Sequence, residues 1–171
     1  MLNINRVVGN VHKDHELGQK YHQMSGKQLS ETIRISRSEA QRVRMRKTSD
    51  KGTDVAIMLP QNTHIKHGDV LLLDNDRIIV VEVQPERVAV IAIENNIASH
   101  HLLEIAAKVG HTIGNLHRPI KIENNNIILP IQAESELDLL KKIIGSITEH
   151  INITSTTMVF EAEVGAEVHE H

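Results

Sequence analysis

Beyond Gln84-Pro85-Glu86 the apolar residues of this chain change period in a fixed order, and few folds accept that order. A continuous apolar run at 88–93 reads as a strand. Ile97, Leu102, Leu103, Ile105, Ala106, Val109 and Ile113 follow at helical spacing, so residues 96–113 are predicted to form an amphipathic helix. Two short strands, 119–122 and 127–131, flank the turn Glu123-Asn124-Asn125-Asn126. Leu137, Leu140, Ile143, Ile144 and Ile147 mark a second helix over 134–147, and 151–162 is a final β-rich run. The order β-α-β-β-α-β is the ferredoxin-like arrangement. Residues 164–171 offer no core positions and read as a flexible tail.

The first half follows a different rule. Residues 2–8 alternate well enough for a short strand, whereas 9–30 are polar and rich in His, Lys, Gln and Ser, and read as a long loop. Residues 31–36 alternate again. Arg42-Val43-Arg44-Met45-Arg46 runs strictly polar/apolar, the pattern of a half-buried strand. Ser49-Asp50-Lys51-Gly52 is a hairpin signal leading into an apolar strand at 54–59, which Pro60 ends. His67-Gly68-Asp69 and Asp74-Asn75-Asp76 are turns before strands at 70–73 and 77–83. Many short strands at this spacing describe a small all-β domain. The predicted class is α+β: a β-rich domain at 1–84, a ferredoxin-like domain at 85–163 and a tail at 164–171.

Composition excludes several chemistries. With Tyr21 and Phe160 as the only aromatic residues, there is no stacking platform for single strands, and the net charge of −3 gives no general affinity for nucleic acid. The absence of cysteine removes disulfides and thiolate metal sites, so any bound metal must use imidazole nitrogen and oxygen donors. No apolar run reaches transmembrane length, and residues 1–10 lack a signal-peptide core, so a cytoplasmic protein without a membrane partner is expected.

Twelve histidines in 171 residues are the compositional outlier, and they form no single tract. The best placed is in Gly110-His111-Thr112-Ile113-Gly114-Asn115-Leu116-His117-Arg118-Pro119. A helical pattern stops there. Gly114 and Asn115 are residue types that tolerate positive φ at a helix C-terminus, and Pro119 keeps the helix from resuming. One rigid turn then sets where His117 points, and a neutral ring nitrogen can ligate a borderline metal. The other reading is a plain helix stop with His117 on the surface. His111, six residues earlier, is a second candidate, although a helix C-terminus favours histidine in any case. His169 and His171 form an alternating pair in the tail. Arg42, Arg44 and Arg46, within the longer run Arg34, Arg37 and Lys47, put positive charge on one strand face: a solvated face or a docking surface.

Taken in order along the chain, these pieces resemble the UreE family of nickel metallochaperones. In the first half the likeness lies in Arg42-Val43-Arg44-Met45-Arg46-Lys47-Thr48, Asp50-Lys51-Gly52, Val55-Ala56-Ile57-Met58-Leu59-Pro60 and Gly68-Asp69-Val70-Leu71. In the second it lies in Ile113-Gly114-Asn115-Leu116-His117-Arg118-Pro119, similar to the family's Leu-Gly-Asn-Arg-His-x-Pro, with Leu116 at the family's basic position. The resemblance implies a homodimer joined through the ferredoxin-like domains, with one His117 from each subunit meeting at the two-fold axis. It implies Ni(II) as cargo, with Zn(II) or Cu(II) able to substitute in vitro, and ligands added by His169 and His171. It further implies delivery to apo-urease, residues 1–84 as a peptide- or partner-binding domain, and the GTPase UreG as a partner.

No HExxH or His-triad spacing offers the three convergent ligands and general base that a metalloenzyme needs, so no enzyme activity is expected. The remaining alternative is a metal-independent protein- or peptide-binding scaffold whose histidines are incidental.

Overall fold

The computed structural model describes residues 1–94, 97–146 and 150–162. The chain divides into two compact units, Met1–Gln84 and Pro85–His171. In the first, β1 (Leu2–Ile4), β2 (Gly9–Asn10), α1 (His15–Gly26), β3 (Ser30–Ile35), α2 (Arg37–Ala40), β4 (Arg44–Thr48), β5 (Asp54–Met58), β6 (Asp69–Leu73) and β7 (Ile78–Val83) build two sheets. Their orders are β1-β5-β4 and β2-β6-β7-β3, with β1/β5 and β3/β7 parallel and the other pairs antiparallel. β-branched residues supply the inward faces, Ile33, Ile35, Val55, Ile57, Ile78 and Ile79 all being buried.

Residues 9–30 are not the loop that their polarity suggests. The Asp14 carboxylate accepts the amides of Glu16 and Leu17 at 2.9 and 3.1 Å, which caps α1. From that helix Leu17, Tyr21 and Met24 pack with Val70, Ile78 and Val80. A single apolar stripe is therefore enough to hold an otherwise charged helix on the sheet. The four-residue α2 is closed by a capping box in which Ser36 and Glu39 satisfy each other's backbone amides. The unit is β-rich, yet it carries two helices and is not all-β.

One glycine in this unit is demanded by its surroundings. Gly68 has φ +81°, and a Cβ there would run into the His12 ring. The His12 and His67 rings stack at 5.2 Å with planes 4° apart, and His67 Nδ1 accepts the Val83 amide at 3.2 Å.

The second unit contains β8 (Glu86–Ile93), α3 (Ser99–Gly114), β9 (Lys121–Glu123), β10 (Asn126–Pro130), α4 (Glu134–Gly145) and β11 (Ile151–Met158). These form one antiparallel sheet in the order β11-β8-β10-β9. Asn124 and Asn125 take φ of 50° and 63°, so the β9–β10 connection is a two-residue turn of left-handed residues matching the strand twist. Ile105, Val109 and Ile113 of α3 and Leu137, Leu140 and Ile144 of α4 cover one sheet face, against Ala89, Ile91, Leu129 and Ile153. Burying each such isoleucine or leucine contributes about 1.5–3 kcal/mol. Val88 and Ile128 point to the opposite face, where Phe160 closes over them. The described part of the chain is thus mixed α and β, as its periodicities predict.

Candidate metal centre

α3 runs one residue further than its last core position and then stops in three steps. The amides of Asn115, Leu116 and His117 donate to the carbonyls of His111, Ile113 and Gly114 at 3.1, 2.9 and 3.0 Å, so the helix tightens as it ends. From sequence, the left-handed position falls to Gly114 or Asn115. The structure corrects this. Gly114 is the last helical residue, Asn115 keeps helical angles at φ −67° and ψ −19°, and His117 itself has φ 50°. The cause is Leu116, which packs against the second unit's core. The chain must keep turning in the helical sense until that side chain meets the core, and it reverses only at the next residue.

A histidine in this conformation is strained, since a left-handed L-residue costs about 1–2 kcal/mol. Its neighbours hold it there. On one side the half-buried Leu116 packs against the core. On the other, Arg118 Nη2 donates to Glu136 Oε2 of α4 at 3.1 Å, and the same oxygen accepts the Gln132 amide at 3.2 Å. Between two fixed residues the His117 side chain is exposed. Strain maintained by surrounding contacts at an exposed polar residue is a pointer to function. Sequence reasoning missed Arg118 and Glu136, although a basic residue directly before a helix-stopping proline was available as a signal.

The other candidates are placed as follows. His111 is exposed in the last turn of α3, and the Asn115 side-chain amide lies 3.3 Å from its Nε2. An amide nitrogen can only donate, so His111 Nε2 is the acceptor. Asn115 thus orients His111 rather than bending the chain. His169 and His171 fall outside the described residues. Among the described residues no three His, Asp or Glu side chains gather as a metal cage. Within one subunit, then, the described residues at this turn offer single imidazoles and no closed site.

Arg42, Arg44 and Arg46 are exposed, with Val43 and Met45 half-buried between them. They differ in charge balance. Arg46 makes a two-pronged pair with Asp54 at 2.8 and 2.8 Å, whereas Arg42 and Arg44 have no ion pair among the described residues. Lys47 pairs with Glu39 at 2.6 Å and Arg34 with Glu82 at 3.0 Å. The strand itself begins only at Arg44, so the unpaired positive charge is confined to Arg44 and to Arg42 just before it, narrower than the run of basic residues implies.

Comparison with known proteins gives the following. The model of the UreE urease accessory protein, N-terminal domain, matches residues 4–84. Urease accessory protein UreE 1 of Pseudomonas syringae pv. tomato is 31% identical over 143 residues, which is 84% of this chain and 92% of that protein. Urease accessory protein UreE of Natronomonas pharaonis is 29% identical over 157 residues, covering 92% of this chain and 70% of that one. The protein of the same name from Yersinia aldovae is 29% identical over 141 residues, covering 80% and 60%.

Proposed function

The chain belongs to the UreE family of urease accessory proteins, and from that premise we propose that it is a nickel metallochaperone, carrying Ni(II) at a histidine site shared across a dimer and delivering it to apo-urease in the cytoplasm. It is an accessory protein and not an enzyme. The observation that carries the reading is His117, exposed and left-handed between Leu116 against the core and Arg118 on Glu136. One imidazole cannot hold a divalent ion tightly. An isologous contact through the ferredoxin-like unit uses the same residue twice and gives two.

Ni(II) prefers more nitrogen and oxygen donors than two, in square-planar or octahedral geometry. His169, His171 and water complete the set, and incomplete coordination of this kind lets the ion leave. His111 is a secondary ligand once its Nε2 lone pair is released from the Asn115 amide. Zn(II) and Cu(II) suit the same donors and substitute in vitro. Residues 1–84 act as the partner-binding domain, in which Arg42 and Arg44 face urease or the GTPase UreG, and Arg46 is held by Asp54.

Equilibrium dialysis against Ni(II) tests this. The wild-type chain should take up one tightly held ion per dimer, and His117→Ala should lose it while keeping its fold. A tight site undiminished in that variant would overturn the assignment and leave a metal-independent scaffold as the better reading.

A further inference from the structure

At the opposite end of α3 from His117, two other histidines meet. His101 is in the first turn of α3, and His150 directly precedes β11. The Glu94 amide donates to the His150 carbonyl at 3.1 Å, continuing the ladder in which Ile151 faces Ile93. The sheet therefore delivers His150 to the place where the chain leaves β8 for α3. There the two rings lie edge to face, with centres 6.4 Å apart and planes 77° apart.

That spacing can be compared with what one ion requires. With metal–nitrogen bonds of about 2.0–2.1 Å, two imidazoles on one ion have ring centres roughly 4.5–6.5 Å apart. The observed pair sits at the outer end of this range, so small side-chain rotations bring both nitrogens onto one ion. The second feature is how the rings are oriented. His150 Nδ1 lies 3.2 Å from Glu94 Oε2, and His101 Nδ1 lies 3.7 Å from Glu104 Oε2. A carboxylate only accepts, so the neutral His150 ring carries its proton on Nδ1 and its lone pair on Nε2, while Glu104 at 3.7 Å is an electrostatic neighbour of His101 without a hydrogen bond. A carboxylate behind the far nitrogen is the usual support of a metal-bound histidine. Lys108 Nζ holds the other Glu104 oxygen at 2.6 Å.

We propose that His101 and His150 together bind a divalent first-row transition-metal ion, with Glu94 and Glu104 as outer partners and water filling the remaining positions. Imidazole ligands without thiolate select Cu(II), Ni(II) or Zn(II), and Cu(II) binds such a pair most tightly. From His101 to the end of α3 at Gly114 the helix rises about 20 Å at 1.5 Å per residue, so His101 and His117 cannot share an ion within one chain. The site stands independently of the His117 assignment.

Cu(II) added in small increments to the full-length, 15N-labelled chain is the test, because it broadens the ring signals of each histidine that it approaches. The His101 and His150 signals should broaden together, before those of His22 and His64, and His117→Ala should leave this unchanged. His101→Ala should raise the Cu(II) needed to broaden His150 by at least about tenfold, since even outer-shell partners of a metal ligand are worth that much. His150→Ala should do the same at His101, so a folding defect in one variant does not decide the matter. Broadening of His150 that is indifferent to His101→Ala, or of both rings only in step with His22 and His64, would overturn the site.

Discussion

At His117 the backbone and the side chain are under opposite demands. The left-handed conformation favours glycine, whereas the proposed ligation requires an imidazole. His117→Gly should relieve about 1–2 kcal/mol of strain and lose about 0.5–1 kcal/mol to added chain entropy, so the variant unfolds at the same or higher denaturant concentration. It should nevertheless lose tight Ni(II). His117→Val should lose both stability and metal, because a β-branched residue tolerates this conformation worst. Denaturant unfolding paired with dialysis separates the two effects, and a glycine variant that kept the ion would remove His117 from the site. The importance of this turn is legible in the sequence, but its geometry is not. Which residue is left-handed depends on Leu116 reaching the core, a tertiary contact that no local pattern encodes.

Glu31 presents the converse case, a charged residue set inside the first unit. Burial pushes its carboxyl up, but hydrogen bonds from Ser49 and Thr53 and the Arg77 guanidinium outweigh that and hold it below the usual value near 4.5. With the folded-state value depressed, its stabilising contribution is fully present above about pH 4.5 and is lost as pH falls below that towards the lowered folded-state value. Glu31→Gln should therefore flatten the acid limb of a stability-against-pH curve. Glu31→Ala, which leaves Ser49 Oγ without its 2.6 Å acceptor, should cost about 1–3 kcal/mol at neutral pH.

Among the elements, β4 and the residues leading into it carry the sharpest prediction. Arg42→Glu and Arg44→Glu should weaken capture of the urease apoprotein or UreG without changing a Ni(II) titration, because both side chains are exposed and neither has an ion pair to lose among the described residues. Arg46→Glu puts like charges beside Asp54, so it should also lower the melting temperature slightly. A variant that lost metal along with partner would contradict this division of labour. The inner strands β8 and β10 and both helices of the second unit could be read from the sequence because their apolar residues recur on a buried face. α1 could not. Leu17, Tyr21 and Met24 do recur at helical spacing, but only Leu17 is fully buried and the stripe is thin among polar residues, so the Asp14 cap is the clearer cue. α2 is shorter than any periodicity window, but its Ser36-x-x-Glu39 box is visible in the sequence.

For the whole molecule, each unit has its own buried cluster, and the second has two helices and a four-stranded sheet to itself. A fragment beginning at Pro85 should fold, dimerise and bind Ni(II), while residues 1–84 should bind little despite His12, His15, His22, His64 and His67. Removing residues 168–171 from the full chain should lower metal affinity or stoichiometry and leave a weaker His117 site. Loss of all binding on that truncation would show that the tail is the primary ligand set.

The sheet order β11-β8-β10-β9 has a consequence for synthesis. Its first strand in the chain, β8, is an inner strand, and one of its two neighbours is the last strand, β11. While the ribosome is still making α4, β8 has one bare edge of amides and carbonyls. The first unit, complete at residue 84, has no such wait. The nascent protein therefore completes its first unit early, and the turn bearing His117 gains a finished support only when residues 151–158 have emerged. A ribosome that stalls before β11 releases a chain with an open, aliphatic strand edge, the form most prone to join its neighbours in an aggregate.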